Sequence, residues 1–167
     1  SLESSITDCE FNNIKNSQNQ PGTPINAQNS KLELNGTTFD LNGQIILTNT
    51  VATIDECAFT NNTGEQGGAI NANPSSDLTI TNSEFTRNDA TEGGAIYATN
   101  LKIEDSTFML NTAETGGAVY ITDSSDRLVN ITFCVFDSNI ATNQRNIYSK
   151  SLTRKFNLEF NEEINDS

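Results

Sequence analysis

The sequence contains no histidine. Ser-His-Asp and Cys-His catalysis and imidazole metal ligation are excluded together by that absence. Cations are also scarce: nine Lys+Arg stand against 22 Asp+Glu, a formal net charge of −13. Such a chain is a poor partner for nucleic acid or anionic membrane and a good candidate for high solubility. No apolar run approaches the ~20 residues that cross a bilayer as a helix. An initiator methionine and a signal peptide are lacking too, and Ser1 enters mid-pattern, so the chain is expected to be an excerpt or processed form of something longer. Hydrophobic residues make up only 34% of 167. That is low for a compact globule and suits a thin, elongated body with much surface. Disorder is the competing reading, and the regular spacing of Phe and Ile argues against it.

What is present is a repeat. Gly67-Gly68-Ala69-Ile70, Gly93-Gly94-Ala95-Ile96-Tyr97 and Gly116-Gly117-Ala118-Val119-Tyr120 each follow a phenylalanine by eight residues and an asparagine by five. Extended outward, the pattern aliphatic, two residues, small residue, one residue, Phe, two residues, Asn fits five segments fully. They are Leu34–Thr37–Phe39–Asn42, Ile54–Cys57–Phe59–Asn62, Ile80–Ser83–Phe85–Asn88, Ile103–Ser106–Phe108–Asn111 and Ile131–Cys134–Phe136–Asn139. Ile6–Cys9–Phe11 fits until Ile14 replaces the asparagine. The glycine half is less regular at the ends: Gly22 to Ala27 is displaced by three residues, Gly43-Gln44-Ile45-Ile46 is shortened, and Gln144-Arg145-Asn146-Ile147-Tyr148 has lost both glycines. A further unit begins at Phe156 and Leu158 and dissolves into Asn161-Glu162-Glu163.

A period of 20 to 50 residues signals a solenoid. Phe-to-Phe steps of 28, 20, 26, 23 and 28 residues are too variable for stacked helical pairs. Apolar residues instead alternate, as in Leu78-Thr79-Ile80 and Leu101-Lys102-Ile103, which describes short strands with one face inward. Two or three such strands per turn make a parallel β-helix. Coils stack at ~4.8 Å, so six coils form a rod roughly 25–30 Å tall.

Phe-x-x-Asn followed by Gly-Gly-Ala-Ile resembles the repeat of the polymorphic outer-membrane protein family. The similarity covers about residues 2–148 and is strongest over 52–121. It implies a right-handed β-helix, of the kind displayed by surface-exposed, secreted, adhesin-like proteins. The membrane-barrel domain of that family has no counterpart here, so autotransport is not implied. Similar repeats occur in large secreted proteins of eukaryotes.

Each repeated residue has a structural and a functional reading. The asparagine column (Asn42, Asn62, Asn88, Asn111, Asn139) is read as a hydrogen-bonded ladder rather than a ligand site. The column Phe39, Phe59, Phe85, Phe108 and Phe136 is read as a core stack of aromatics. Gly67, Gly68, Gly93, Gly94, Gly116 and Gly117 permit a bend with close approach of neighbouring coils. A phosphate-cradling loop is the alternative, weakened because no Lys-Ser/Thr follows. Glu65, Glu92 and Glu114 are expected to form an outer acidic stripe, solvated, with loose calcium binding as the alternative. Asp55-Glu56 and Glu104-Asp105 are placed one repeat apart, and adjacent strand residues point to opposite faces, so neither makes an acid/base couple. Five of the nine cations (Arg127, Arg145, Lys150, Arg154, Lys155) crowd the C-terminal end. Cys9, Cys57 and Cys134 share one column and are expected to be unpaired. Three sequons, at Asn35, Asn61 and Asn130, offer N-glycosylation sites in a eukaryotic secretory pathway, with Asn61 and Asn130 expected to face outward.

The sequence thus predicts a single right-handed parallel β-helix over residues 1–167. Its regular coils span 1–148, and a degenerate coil or cap spans 149–167. The expected role is extracellular or cell-surface, structural or adhesive, without catalysis and without cofactor or metal. Expected partners are other protein subunits or surface ligands, glycans among them, or the same chain end to end; nucleic acid and a membrane span are not expected. An extracellular filament subunit and a polysaccharide-binding or polysaccharide-degrading module are the alternatives.

Overall fold

A computed structural model describes residues 2–72, 75–122 and 129–150, together with the backbone of 156–159. Among these residues every regular element is a β-strand. The chain passes through three short strands in turn and then begins again one coil further on, so that each strand pairs in parallel with its equivalents in the coils before and after.

Three sheets result. The first has seven strands: Leu2–Thr7, Ser30–Asn35, Val51–Asp55, Asp77–Thr81, Asn100–Glu104, Val129–Thr132 and Phe156–Glu159. The second has six, Glu10–Asn12, Thr38–Asp40, Ala58–Thr60, Glu84–Thr86, Thr107–Met109 and Val135–Asp137. The third also has six, Asn26–Gln28, Ile45–Thr48, Ile70–Ala72, Ile96–Ala98, Val119–Ile121 and Ile147–Ser149. Thr112–Thr115 and Ile140–Asn143 add a two-stranded strip between the second and third sheets. Six coils and the start of a seventh are present, as the repeat requires.

Register is set by burial. One residue's slip would turn every inward side chain outward, so the alternating pattern admits one pairing. Phe39 lies opposite Phe59, Phe59 opposite Phe85, Phe85 opposite Phe108 and Phe108 opposite Phe136. Ile54, Ile80, Ile103 and Ile131 align in the same way in the first sheet. Ile45, Ile70, Ile96, Val119 and Ile147 align in the third. These columns close a narrow core in which Phe59, Phe85, Phe108, Ile80, Ile96 and Ile103 are essentially without solvent contact.

Corners between sheets turn through left-handed backbone. Asp8, Gly36, Glu56, Asn82, Asp105 and Phe133 hold positive φ where the first sheet gives way to the second. Asn13, Leu41, Asn61, Arg87, Leu110 and Ser138 hold it where the second sheet ends. Asn, Asp and Gly make up most of the first set because their steric penalty there is least, whereas the second set also holds Leu41, Arg87, Leu110 and Ser138 in this conformation.

Candidate functional site

The repeated residues stand where the sequence places them. Phe11, Phe39, Phe59, Phe85, Phe108 and Phe136 form one continuous stack, with successive centroids 4.7–4.9 Å apart and planes within 7° of parallel. Asn42, Asn62, Asn88, Asn111 and Asn139 are all buried. Each Nδ2 donates to the carbonyl of the phenylalanine one coil earlier, as Asn88 does to Phe59 and Asn111 to Phe85, both at 2.9 Å. Each Oδ1 from Asn62 on accepts the backbone N–H of the asparagine one coil earlier, at 3.0 Å. The ladder thus satisfies backbone groups that the corner would otherwise bury unpaired.

The paired glycines serve two separate needs. Gly93 lies at φ +66°, and a Cβ there would come within 2.1 Å of the Ile96 carbonyl oxygen. Gly94 has ordinary φ, but a Cβ would meet the Gly117 carbonyl oxygen of the next coil at 2.1 Å. Gly67 and Gly116 repeat the first geometry, and Gly68 and Gly117 the second. No phosphate-type nest is involved: these glycines are buried and their N–H groups are committed to carbonyls in the following coil.

The acidic stripe is not as expected. Glu92 sits one residue closer to its glycines than Glu65 and Glu114 do, so it falls in a different column. Thr91, not Glu92, lies between Glu65 and Glu114, accepting and donating backbone hydrogen bonds to them at 3.0 Å. Glu92 aligns instead with Gln66 and Thr115. Asp55 and Glu104 share one column, with Thr81 between them, and so lie two coils apart rather than one. Asp55 accepts from the Thr81 hydroxyl at 2.6 Å and from Asn82 Nδ2 at 2.9 Å, and those bonds hold its carboxyl below the usual carboxylate range. Among the described residues no group of three or more Cys, Asp and Glu is placed to hold a metal ion.

Cys9, Cys57 and Cys134 are unpaired thiols in one column. Cys57 and Cys134 fill the small inward slot that Thr37, Ser83 and Ser106 occupy in other coils. Cys9 does not: it is exposed, because coil one has a neighbouring coil on one side only among the described residues. Of the sequon asparagines, Asn61 occupies a left-handed corner and donates to Asp40 Oδ1 at 3.0 Å. Asn35 donates to Asp55 Oδ2 at 3.3 Å. Asn130 points away from the core as expected, yet it is half-buried and its Oδ1 is covered. Arg127, Arg154 and Lys155 lie outside the described residues, as do most residues of the expected cap.

One feature of the outer surface has the character of a binding face. Along the middle of the third sheet, Asn71, Tyr97, Tyr120 and Tyr148 align coil by coil. The three phenol rings form a ladder, with centroids 5.1 Å apart for Tyr97–Tyr120 and 4.8 Å for Tyr120–Tyr148. Beside it runs the polar row Gln66, Glu92, Thr115, Asn143. Gln66 Nε2 donates to Glu92 Oε2 at 2.9 Å, and the same carboxylate lies close enough to Tyr120 to act on its phenol. Tyr120 is buried although it points outward. Burial, with the negative charge of Glu92 next, pushes its phenol up to about 12. Tyr97 is raised for the same two reasons, with a hydrogen bond from Gln66 opposing. At the far end an open cleft of about 540 Å³ is lined, among the described residues, by Thr115, Thr142, Asn143, Gln144 and Tyr148.

A comparison with protein-family models matches residues 2–158 to the family described as right handed beta helix region. The chain belongs to that family. No curated protein and no solved structure gives a significant match. Register and core thus show a parallel β-helix and the family match its right hand, while the resemblance to one particular repeat class is carried by the Phe-x-x-Asn and Gly-Gly-Ala-Ile motifs alone. Fold does not assign function, since a β-helix can support catalysis or do without it.

Sequence reasoning missed three devices of this β-helix. The asparagine ladder closes on Asn146, whose Oδ1 accepts from Asn139 Nδ2 at 3.1 Å. A second buried column, Thr50, Ser76, Thr99 and Thr122, supplies hydroxyls at the third corner; the Ser76 hydroxyl accepts the Thr50 N–H at 3.1 Å, and Thr99 and Thr122 bond to one another. Its signal was the Ser or Thr directly ahead of Val51–Asp55, Asp77–Thr81 and Asn100–Glu104. The tyrosine ladder was legible as Tyr97, Tyr120 and Tyr148 at one offset from Ile or Val, but its lateral contact with Glu92 was not.

Proposed function

We propose that this β-helix is a non-catalytic, extracellular or cell-surface module whose adhesive contacts run along the outer face of the third sheet. The observation that carries this reading is the ladder Tyr97–Tyr120–Tyr148, whose half-exposed end rings Tyr97 and Tyr148 stand beside a hydrogen-bonded polar row. Tyrosine presents a large amphipathic contact surface at small conformational cost, which is why it is enriched where proteins bind. Core requirements do not explain the ladder, because its side chains point away from the core that Ile70, Ile96 and Val119 fill.

Absence of histidine and the separation of the acids along columns support a role without turnover. The resemblance to surface-displayed adhesin-like repeats points the same way. The test is attachment of beads coated with residues 1–167 to cell surfaces, compared with beads carrying the double variant Tyr97→Ala/Tyr148→Ala. Reduced attachment by the variant, with far-ultraviolet circular dichroism unchanged, supports the reading. Equal attachment, or cleavage of a polysaccharide that one carboxylate substitution abolishes, overturns it.

A further inference from the structure

Rings stacked in a ladder cover one another's faces. Tyr120 is only 6% exposed, enclosed between Tyr97 and Tyr148, so the middle of the ladder offers little surface to a ligand. Tyr148 is different. It is half-exposed, tilts 34° from Tyr120 where Tyr97 and Tyr120 differ by 17°, and borders the cleft of about 540 Å³. That volume lies within the ordinary range for a small-ligand pocket.

The cleft arises from a departure in the repeat. Asn143 lies opposite Thr115, so Gln144 stands where Gly116 stands one coil earlier, and it keeps the left-handed backbone at φ +54°. A glycine at this corner leaves no side chain, whereas Gln144 adds an exposed carboxamide to the cleft's rim. Asn143 supplies a second carboxamide and Thr115 and Thr142 two hydroxyls, with Asn143 Nδ2 only loosely bonded to Thr115 Oγ1 at 3.5 Å. Among the described residues the lining therefore combines one aromatic ring with four groups that both donate and accept hydrogen bonds, and none of these five side chains is charged.

This chemistry discriminates among ligands. An anionic sugar, nucleotide or phosphate calls for a cation in the lining, where the described residues supply none, and the chain's net charge of −13 opposes it. A purely apolar ligand would strip water from four polar groups without replacing their hydrogen bonds. An uncharged pyranose ring has one C–H-rich face for the phenol and a rim of hydroxyls that both donate and accept. Resting on the adhesive reading above, we propose that the cleft at Tyr148 is a subsite for one uncharged pyranose unit of a glycan. The sugar stacks on Tyr148 and is hydrogen-bonded by Asn143, Gln144, Thr115 and Thr142.

The experiment titrates isotope-labelled residues 1–167 with cellohexaose, maltohexaose, chitohexaose and, as the charged comparison, hexagalacturonate, following backbone and carboxamide resonances. Saturable shifts at Asn143, Gln144 and Tyr148 with at least one uncharged hexasaccharide, and weaker ones with hexagalacturonate, support the subsite. Tyr148→Ala should weaken that binding about tenfold, the size of a lost ring contact. Tyr148→Phe, which keeps the ring, should bind within about threefold of the parent, and Asn143→Ala should bind several-fold more weakly. Binding by none of the uncharged sugars, an unchanged affinity in Tyr148→Ala, or hexagalacturonate binding as tightly as they do overturns the proposal. Beads that adhere but are not displaced by the bound hexasaccharide defeat the glycan assignment and leave the adhesive role standing. Saccharide binding by a chain whose beads do not adhere defeats the adhesive role alone.

Discussion

Asn88 and Asn111 occupy the same corner of successive coils, and a single oxygen joins them twice: Asn111 Oδ1 accepts from the backbone N–H and from Nδ2 of Asn88, each at 3.0 Å. Asn88 in turn accepts from the N–H and Nδ2 of Asn62 and donates to the Phe59 carbonyl. Each member from Asn42 to Asn111 therefore bridges three coils. Asn88→Ala should strand buried groups on both sides and cost about 3 kcal/mol or more in urea unfolding. Asn88→Asp should cost more at neutral pH than at acid pH, since the ladder offers its second oxygen no cation. Equal stability of parent and Asn88→Ala would show the ladder to be incidental.

The aromatic stack gives a second expectation. Phe85 lies 4.7 Å from Phe59 and 4.8 Å from Phe108, and it is fully buried. Phe85→Ala should lower stability by ~3–5 kcal/mol through lost transfer energy and a cavity that rigid neighbouring coils cannot close. Chemical denaturation measures it directly, and a loss below 1 kcal/mol would contradict this packing.

Left-handed corners make a prediction of opposite sign. Leu110 sits at φ +56° and is 37% exposed. An L-residue with a Cβ meets a penalty of ~1–2 kcal/mol in this conformation, which asparagine relieves in part. Leu110→Asn should raise stability by about 0.5–1 kcal/mol. Gly93→Ala, at φ +66° against the Ile96 carbonyl, should destabilise it. A shared sign for the two substitutions would refute the account of the corners.

Tyr120 supplies a pH dependence. Its folded-state value, pushed up to about 12, exceeds the ordinary tyrosine value of about 10, so the native state holds the phenolic proton more tightly than the unfolded chain. The stability it contributes is complete below pH ~10 and declines as pH rises toward 12. Tyrosinate absorbance, resolved by difference against Tyr120→Phe, should show this late titration. Glu92→Gln should bring it down by removing the nearby negative charge. A midpoint at the ordinary value, unmoved by Glu92→Gln, would exclude the contact.

Thiol chemistry separates the three cysteines. Burial raises the thiol of Cys57 and pushes that of Cys134 up to about 11, while Cys9 is exposed. Iodoacetamide should modify Cys9 in the native protein and the other two after denaturation, because thiolate and access are both required. Intact mass read before and after denaturation checks the order, and simultaneous labelling of all three would place Cys57 and Cys134 at the surface.

Local pattern determined the solenoid. Alternating apolar residues specify strands, and a recurring Phe, Asn and Gly-Gly at near-constant offsets require that equivalent positions meet. In-register stacking is the arrangement that buries all of Phe39, Phe59, Phe85, Phe108 and Phe136 at once. The same logic located the asparagine ladder and the small inward slot of Cys57 and Cys134. Contacts between different columns lay beyond that reading, because the chain's path around a corner fixes them. The one-residue offset that separates Glu92 from Glu65 and Glu114 looks trivial in sequence, yet in a strand it turns a side chain to another face. It replaces an acidic stripe with a carboxylate bonded to Gln66 and set near the Tyr120 phenol. Gln144 carries the same lesson: a lost glycine in the linear repeat becomes, only when coil six is stacked on coil five, the wall of a cleft beside Tyr148.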